Sequence, residues 1–263
     1  MMKIAIIGFG AIGKYVFDNL KKEKIFITSL ICRPGREEAA REVLKSNLEI
    51  YNSIDQYKEY PNLILDCAGH SSLIDYAPDA LCRGINFITL SSGALADDKL
   101  FNKIKKSEVK GKSKLIIASG AIGSLDILTS AKNDEIYEVC YTGRKPPQGW
   151  VGSRAEKILD LKNLKSSSQI HFSGNARQAS KLYPKNANVT ATIALSGIGF
   201  DKTKVTLIAD NSITENIHEL KISGKFGSSN FQIFGKPLPN NPKSSSLAAM
   251  SMISEVKKIL ELF

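Results

Sequence analysis

The sequence predicts an α/β protein of two domains. The first is a doubly wound parallel sheet covered by helices, and the second is an α+β domain with a largely antiparallel sheet. Three observations predict this. Apolar runs alternate with helical stretches over residues 1–118, the pattern of a parallel sheet buried on both faces. After Gly120 the texture changes to β-branched, alternating segments punctuated by glycine, which is how antiparallel strands read. The chain then returns to helical spacing behind a run of serines. At 263 residues it can bury one large core or two modest ones.

In chain order, "KIAIIGFGAIGKYVFDNLKK" begins as a buried-type strand, turns on glycines and continues with Ile12, Val16 and Leu20 at helical spacing. "KIFITSLICR" reads as a second strand and "EEAAREVLK" as a helix. "NLILDCAG" is a third strand, "LIDYAPDALCRG" a helix closed by Gly84, "NFITLSSGAL" a strand and "DDKLFNKIKK" a helix before "KLIIASGAIGSLD". Beyond that point "EIYEVCYTG", "QIHFSG", "NVTATIALSG", "KVTLIAD", "NIHELKISGKFG" and "NFQIFG" read as antiparallel strands. "SSSLAAMSMISEVKKILELF" closes the chain as a serine-capped helix with Leu247, Met250, Ile253 and Val256 as its apolar positions. These boundaries give a first domain over 1–118, completed by the C-terminal helix 244–263, and a second over 119–243.

Composition narrows the function. Hydrophobic content is 43%, and no apolar run approaches the roughly 18 to 20 residues that span a bilayer. The glycine-interrupted N-terminus does not read as a secretory signal. Four cysteines, Cys32, Cys67, Cys82 and Cys140, form no C-x-x-C pair, so neither a zinc site nor a disulfide framework is expected, and a reducing, cytoplasmic setting fits. The formal charge of +10 comes from lysines scattered in twos and threes without interleaved aromatics. That distribution argues against nucleic acid and suits an anionic small substrate, a phosphate-bearing cofactor or a solvated surface.

"GFGAIG" places Gly8, Gly10 and Gly13 in G-x-G-x-x-G spacing between a strand and a helix. In a Rossmann-type fold Gly8 makes the tight turn, Gly10 lets backbone approach a pyrophosphate, and Gly13 permits close helix-to-strand packing. The pyrophosphate would rest on the helix start with Ala11 and Ile12. NAD or NADP is the implied cofactor. Where an acid often meets the ribose 2′-hydroxyl, "LICRPGRE" offers Arg33 and Arg36, which suit a 2′-phosphate. The competing reading makes Arg33 a loop residue and gives the ribose to Glu37 or Glu38.

Three histidines compete as proton carriers. His70 follows the third strand and reads more as a helix cap or loop residue than as a catalyst. His171, between Ile170 and Phe172, is expected on the exposed face of a strand. His218 in "ITENIHEL" fits a satisfied half-buried histidine and a catalytic one equally well.

The stretches "SGAIGSLD", "KPPQGW", "FSGNARQASKLYPKNANVTATIALSGIGFDKTKVTLIAD", "NIHELKISGKFG" and "PLPNNPKSSSLAAMS" resemble the L-aspartate dehydrogenase family. The resemblance covers nearly the whole chain. It implies oxidation of L-aspartate with NAD(P) to iminoaspartate, which hydrolyses to oxaloacetate and ammonia, with a link to pyridine nucleotide biosynthesis. It also implies a homodimer or larger homo-oligomer, with the second domain serving catalysis and dimerisation. It makes His218 catalytic and places Ala121 and Asn188 against the cofactor, Asn188 also against substrate. The chain departs from the family's usual pattern at "ADNSITENIH" and at Ser244, without loss of a charged or catalytic group.

An amine-to-imine oxidation needs a hydride acceptor, a base and a site for two carboxylates. For the carboxylates, Lys243, Ser244 and Ser245 at the start of the last helix combine an ammonium, hydroxyls and free N–H groups. Lys185 and Asn186 are further donors, and Trp150 receives no role. The alternatives are another two-domain reductase, of dihydrodipicolinate or semialdehyde type, and a dinucleotide-binding regulator without turnover.

Overall fold

The computed structural model describes residues 2–45, 48–239 and 241–262, and the side chains of Lys185, Pro242 and Lys243 lie outside the described residues. Two units emerge, Met1–Ala118 with Ala248–Phe263, and Ser119–Leu247.

In the first unit, β1 (Ile4–Ile7) is apolar and wholly buried, as a strand covered on both faces must be. It leads through the glycine turn into α1 (Ala11–Lys22), which buries Val16, Phe17 and Leu20. Then follow β2 (Ser29–Ile31), α2 (Glu37–Leu44), β3 (Glu49–Tyr51), β4 (Leu63–Asp66), α3 (His70–Cys82), β5 (Asn86–Thr89), α4 (Asp98–Gly111) and β6 (Leu115–Ile117). The six strands are parallel in the order β3-β2-β1-β4-β5-β6. This order reverses direction beside β1, the switch point at which open α/β sheets bind ligands. Lys45 and Lys112 close α2 and α4 in the left-handed region, at φ 45° and 52°.

The second unit holds α5 (Leu125–Ala131), β7 (Ile136–Lys145), β8 (Ser168–Asn175), α6 (Ala176–Leu182), α7 (Asn188–Ser196), β9 (Lys204–Asp210), β10 (Asn216–Gly224) and β11 (Gly227–Gly235). Its sheet runs β11-β10-β7-β9-β8, antiparallel except for the β7–β9 pair. A small ladder of β12 (Pro237–Leu238) and β13 (Asn241–Ser245) precedes α8 (Ser246–Ile259). Among the described residues no helix is long and apolar enough to cross a membrane.

Three sequence expectations need correction. "NVTATIALSG" is the helix α7, not a strand: Thr190, Ala191, Thr192, Ile193 and Ala194 are all buried, and packing on nearly every side overrides the local preference of β-branched residues. Residues 244 and 245 belong to β13, so the last helix starts at Ser246. Its inward stripe is Ala249, Met252 and Val256, with Leu247 and Met250 exposed. Met252 and Val256 join Ile4, Ile6 and Leu20 in the core of the first unit.

The glycine turn is sterically closed. A Cβ on Gly13 would lie 2.3 Å from the Gly8 carbonyl oxygen, and Gly8 itself sits at φ +86° against Ala68. Gly13→Ala is therefore expected to push α1 off β1 at a cost of about 1–3 kcal/mol. Thermal unfolding should show a midpoint several degrees below wild type; an unchanged midpoint would mean the turn has slack.

Candidate active site

A cavity of about 580 Å³ opens at the carboxyl end of β1, walled by Gly8, Phe9, Gly10, Arg33, Arg36 and Ser72. Gly10 precedes α1, and a Cβ there would meet nothing within 4 Å. Asp66, at the end of β4, is fully buried and accepts hydrogen bonds from the Ala68 N–H at 3.1 Å, from Thr89 Oγ1 at 2.8 Å, and from Ser72. Burial pushes its carboxyl above the usual range while these donors pull it back. Asp66 thereby anchors the 67–72 turn that forms one wall. Arg36 lies 5.4 Å over the Phe9 ring, while the Glu37 carboxylate is occupied by Asn52 Nδ2 at 2.7 Å and does not line the cavity. The bare glycine turn, the helix start and two guanidinium groups fit a dinucleotide, with Arg33 and Arg36 on the wall and Glu37 off it. Ala11 and Ile12 open α1, and Gly13 supports the turn from beneath. His70 is the first residue of α3, behind Gly69 at φ +115°.

In the second unit, His218 lies on the buried face of β10 with Leu220 and Ile222. It pairs with Gly143 of β7. Tyr141, two residues before Gly143 and so on the same face, reaches past it to place its hydroxyl 2.7 Å from His218 Nδ1. A side chain at 143 would block that path, since a Cβ there would fall 2.7 Å from the Tyr141 hydroxyl. Nε2 of His218 has no hydrogen-bond partner among the described residues. The imidazole is 5% exposed, and burial, aided by the charge of Lys145, lowers its pKa to about 3. The ring is thus neutral at physiological pH, with one nitrogen held and the other free.

Lys145 continues the alternation of Tyr141 and Gly143. Its ammonium donates to Asn186 Oδ1 at 2.8 Å and lies 5.1 Å over the Trp150 ring. The indole is itself fixed by donating Nε1–H to the Ile208 carbonyl at 2.9 Å. Burial lowers the Lys145 pKa to about 8.

His171 corrects the sequence reading: it is 5% exposed, packed edge-on against Trp150 with ring centroids 4.3 Å apart, while Ile170 is exposed. The register of β8 on β9 shifts between Ile170 and Phe172, and this bulge inverts the alternation. Nδ1 of His171 meets Tyr183 Oη at 3.0 Å, and Nε2 is buried without a partner. Burial and then Lys145 lower its pKa to about 4.

Ala121 is buried in the turn before α5. That turn bears on the His218 face, because a Cβ on Gly123 would strike Phe231, the partner of Leu220. Asn188 is half-buried and begins α7, two residues after Asn186. Ser244 and Ser245 lie in β13 and so offer no helix N–H groups, contrary to expectation. Asn241 Nδ2 donates to Ser244 Oγ at 3.0 Å. The side chain of Lys243 lies outside the described residues.

A family profile described as aspartate dehydrogenase, C-terminal, matches residues 126–259. The L-aspartate dehydrogenase of Ruegeria pomeroyi is 45% identical over 98% of this chain and 92% of its own length. The chain belongs to the L-aspartate dehydrogenase family. The L-aspartate dehydrogenase of Pseudomonas aeruginosa is 38% identical, with 96% of each chain covered. The aspartate dehydrogenase structure from Thermotoga maritima superposes with a TM-score of 0.74 at 26% identity, covering 99% of this chain and 96% of that one. A profile described as homoserine dehydrogenase, NAD binding domain, matches residues 8–118. As a member of the L-aspartate dehydrogenase family the chain is an NAD(P)-dependent oxidoreductase.

Sequence reasoning missed Tyr141 and Lys145 around His218, and expected Asn186 as a donor to substrate where it instead accepts from Lys145. The period-two alternation of Tyr141, Gly143 and Lys145 was a usable signal for a shared face; their register against His218 was not.

Because both buried imidazoles have lowered pKa values, the unfolded chain binds more protons between the folded values, about 3 and 4, and the ordinary value of about 6.5. This contribution to stability is full above that upper value and is lost as pH falls through the window. Thermal midpoints measured from neutral to acid pH should fall less steeply for His171→Phe than for wild type. Equal slopes would show that His171 is not held neutral by the fold.

Proposed function

We propose that this chain is an L-aspartate dehydrogenase that oxidises L-aspartate to iminoaspartate, with His218 as its proton carrier. The observation that carries the reading is the buried, neutral His218, held at Nδ1 and free at Nε2. In the tautomer whose Nδ1–H donates to the Tyr141 oxygen, Nε2 presents a lone pair to solvent or substrate. Bound NAD(P) supplies the hydride acceptor. The substrate's Cα–H bond breaks with its electron pair, the amine gives up a proton, and the C=N bond forms. Water then adds to the imine carbon, and loss of ammonia leaves oxaloacetate. His218 Nε2 takes the amine proton or activates that water.

Arg33 and Arg36 on the cavity wall support use of NADP beside NAD. Ala121 and Asn188 are proposed as cofactor contacts, and Asn188 with Ser244, Ser245 and Lys243 as substrate contacts, on the family resemblance. The domain division 1–118 with 244–263, and 119–243, is kept as the functional one. A homodimer through the second domain is supported by a cross-strand row of Phe234, Ile217, Arg144, Ile208 and Ile170 on the sheet face away from His218, in which Phe234 and Ile170 are exposed. Four free cysteines support a cytoplasmic setting. Iminoaspartate would feed pyridine nucleotide biosynthesis.

A steady-state assay following aspartate-dependent NAD(P)H formation tests the reaction. His218→Ala should lower kcat by about 10²–10⁴-fold, with Tyr141→Phe intermediate; a His218→Ala enzyme as fast as wild type removes the proton-carrier role. Arg33→Asp should favour NAD over NADP. Because the lowered His218 pKa keeps the base neutral in mild acid, the acid limb of kcat/KM should lie below the ordinary histidine value of about 6.5. A limb at that value would show that His218 titrates as an ordinary imidazole.

A further inference from the structure

Apart from Lys145, the described cations of the second unit are either matched by carboxylates or exposed to solvent. Arg144 meets Asp210 at 2.8 Å, Arg177 meets Asp201 at 2.7 Å, Lys221 meets Glu219 at 2.9 Å, and Lys225 meets Asp134 at 3.2 Å. Lys145 breaks this pattern. Its ammonium is withdrawn from solvent enough to shift its pKa, and no carboxylate approaches it among the described residues. One of its three protons is used, by Asn186 Oδ1, and the Trp150 ring faces it. Taking an ammonium out of water without a counter-charge is costly. A fold that keeps one there, positioned by an amide and a fixed indole, is prepared for an anion that arrives from outside.

The place of Lys145 says which anion. Tyr141, Gly143 and Lys145 alternate along one face of β7, Gly143 pairs with His218, and the Lys145 charge depresses both His218 and His171. We infer that Lys145, oriented by Asn186 and Trp150, is the residue that binds a carboxylate of the substrate beside His218. This rests on the proposed reading of His218 as the proton carrier for a small dicarboxylic amino acid, and it assigns to Lys145 the recognition that separates such a substrate from uncharged amino acids. It has a catalytic corollary. A carboxylate on the ammonium cancels the lesser of the two causes that depress His218, so the imidazole becomes a stronger base only once substrate is in place.

Succinate, a four-carbon dicarboxylate that lacks the amine, is the probe, and calorimetry reads its binding to wild type, Lys145→Met and Lys145→Gln. Lys145→Met keeps the aliphatic stem against Trp150, and Lys145→Gln serves if the first variant does not fold. Loss of a desolvated charge partner should weaken succinate binding and raise KM for aspartate by about 30-fold or more. KM for NAD(P) should stay within about twofold of wild type, and the thermal midpoint should not fall. Unchanged succinate affinity and unchanged aspartate KM in a folded variant overturn the inference. In wild type, succinate should also protect Lys145 from acylation, read by peptide mass, and equal labelling with and without succinate overturns it too. If wild type binds succinate through Lys145 yet does not turn over aspartate, the proposed reaction fails while the carboxylate site stands.

Discussion

Desolvation is the constraint on which the second unit depends. One face of its sheet carries Tyr141, Lys145 and His218, with His171 nearby, a set of polar groups that water would ordinarily claim. Taking them out of water forces a protonation state on each: the imidazoles are driven neutral and the phenol is held protonated. Geometry then follows from pairing. The Tyr141 hydroxyl must find a partner, the partner is His218 Nδ1, and the contact passes over a residue that can only be glycine. A single strand pair thus fixes the orientation and the charge of the candidate base together.

The first unit works by a different rule. Its strands are apolar on both faces and its polar work is done at strand ends, where Asp66 collects donors to hold a turn and glycines let backbone segments meet. Nothing there needs a shifted imidazole. What the unit supplies is exposed backbone at a helix start and guanidinium groups, chemistry suited to a phosphate-bearing cofactor and indifferent to the substrate. The NAD-binding profile likewise matches only residues 8–118, within this unit.

Much of this was legible in the sequence, and unevenly. Strand-to-helix turns in the first unit announce themselves through Gly8, Gly10 and Gly13, because a local steric demand leaves a local mark. His218 was ambiguous in the sequence because its partner is 77 positions away, and register between β7 and β10 has no local signature. His171 misled because one bulge reverses an otherwise sound alternation. Helix α7 misled because β-branched residues accept a helix when burial on every side rewards it. Ser244 and Ser245 read as a helix start, yet pairing with β12 held that segment extended and delayed the helix to Ser246.

Lys45 and Lys112 occupy the left-handed cap positions at the ends of α2 and α4. Glycine would sit there without strain, and an L side chain costs about 1 kcal/mol at each. A lysine there sets the attraction of a helix C-terminus for a cation against that strain. Part of the positive charge thus sits at solvated helix ends, Lys45 and Lys112 both being exposed. The lysine proposed for recognition differs from these in kind: Lys145 is half-buried at the end of a sheet strand, and a substrate rather than a helix end would answer its charge.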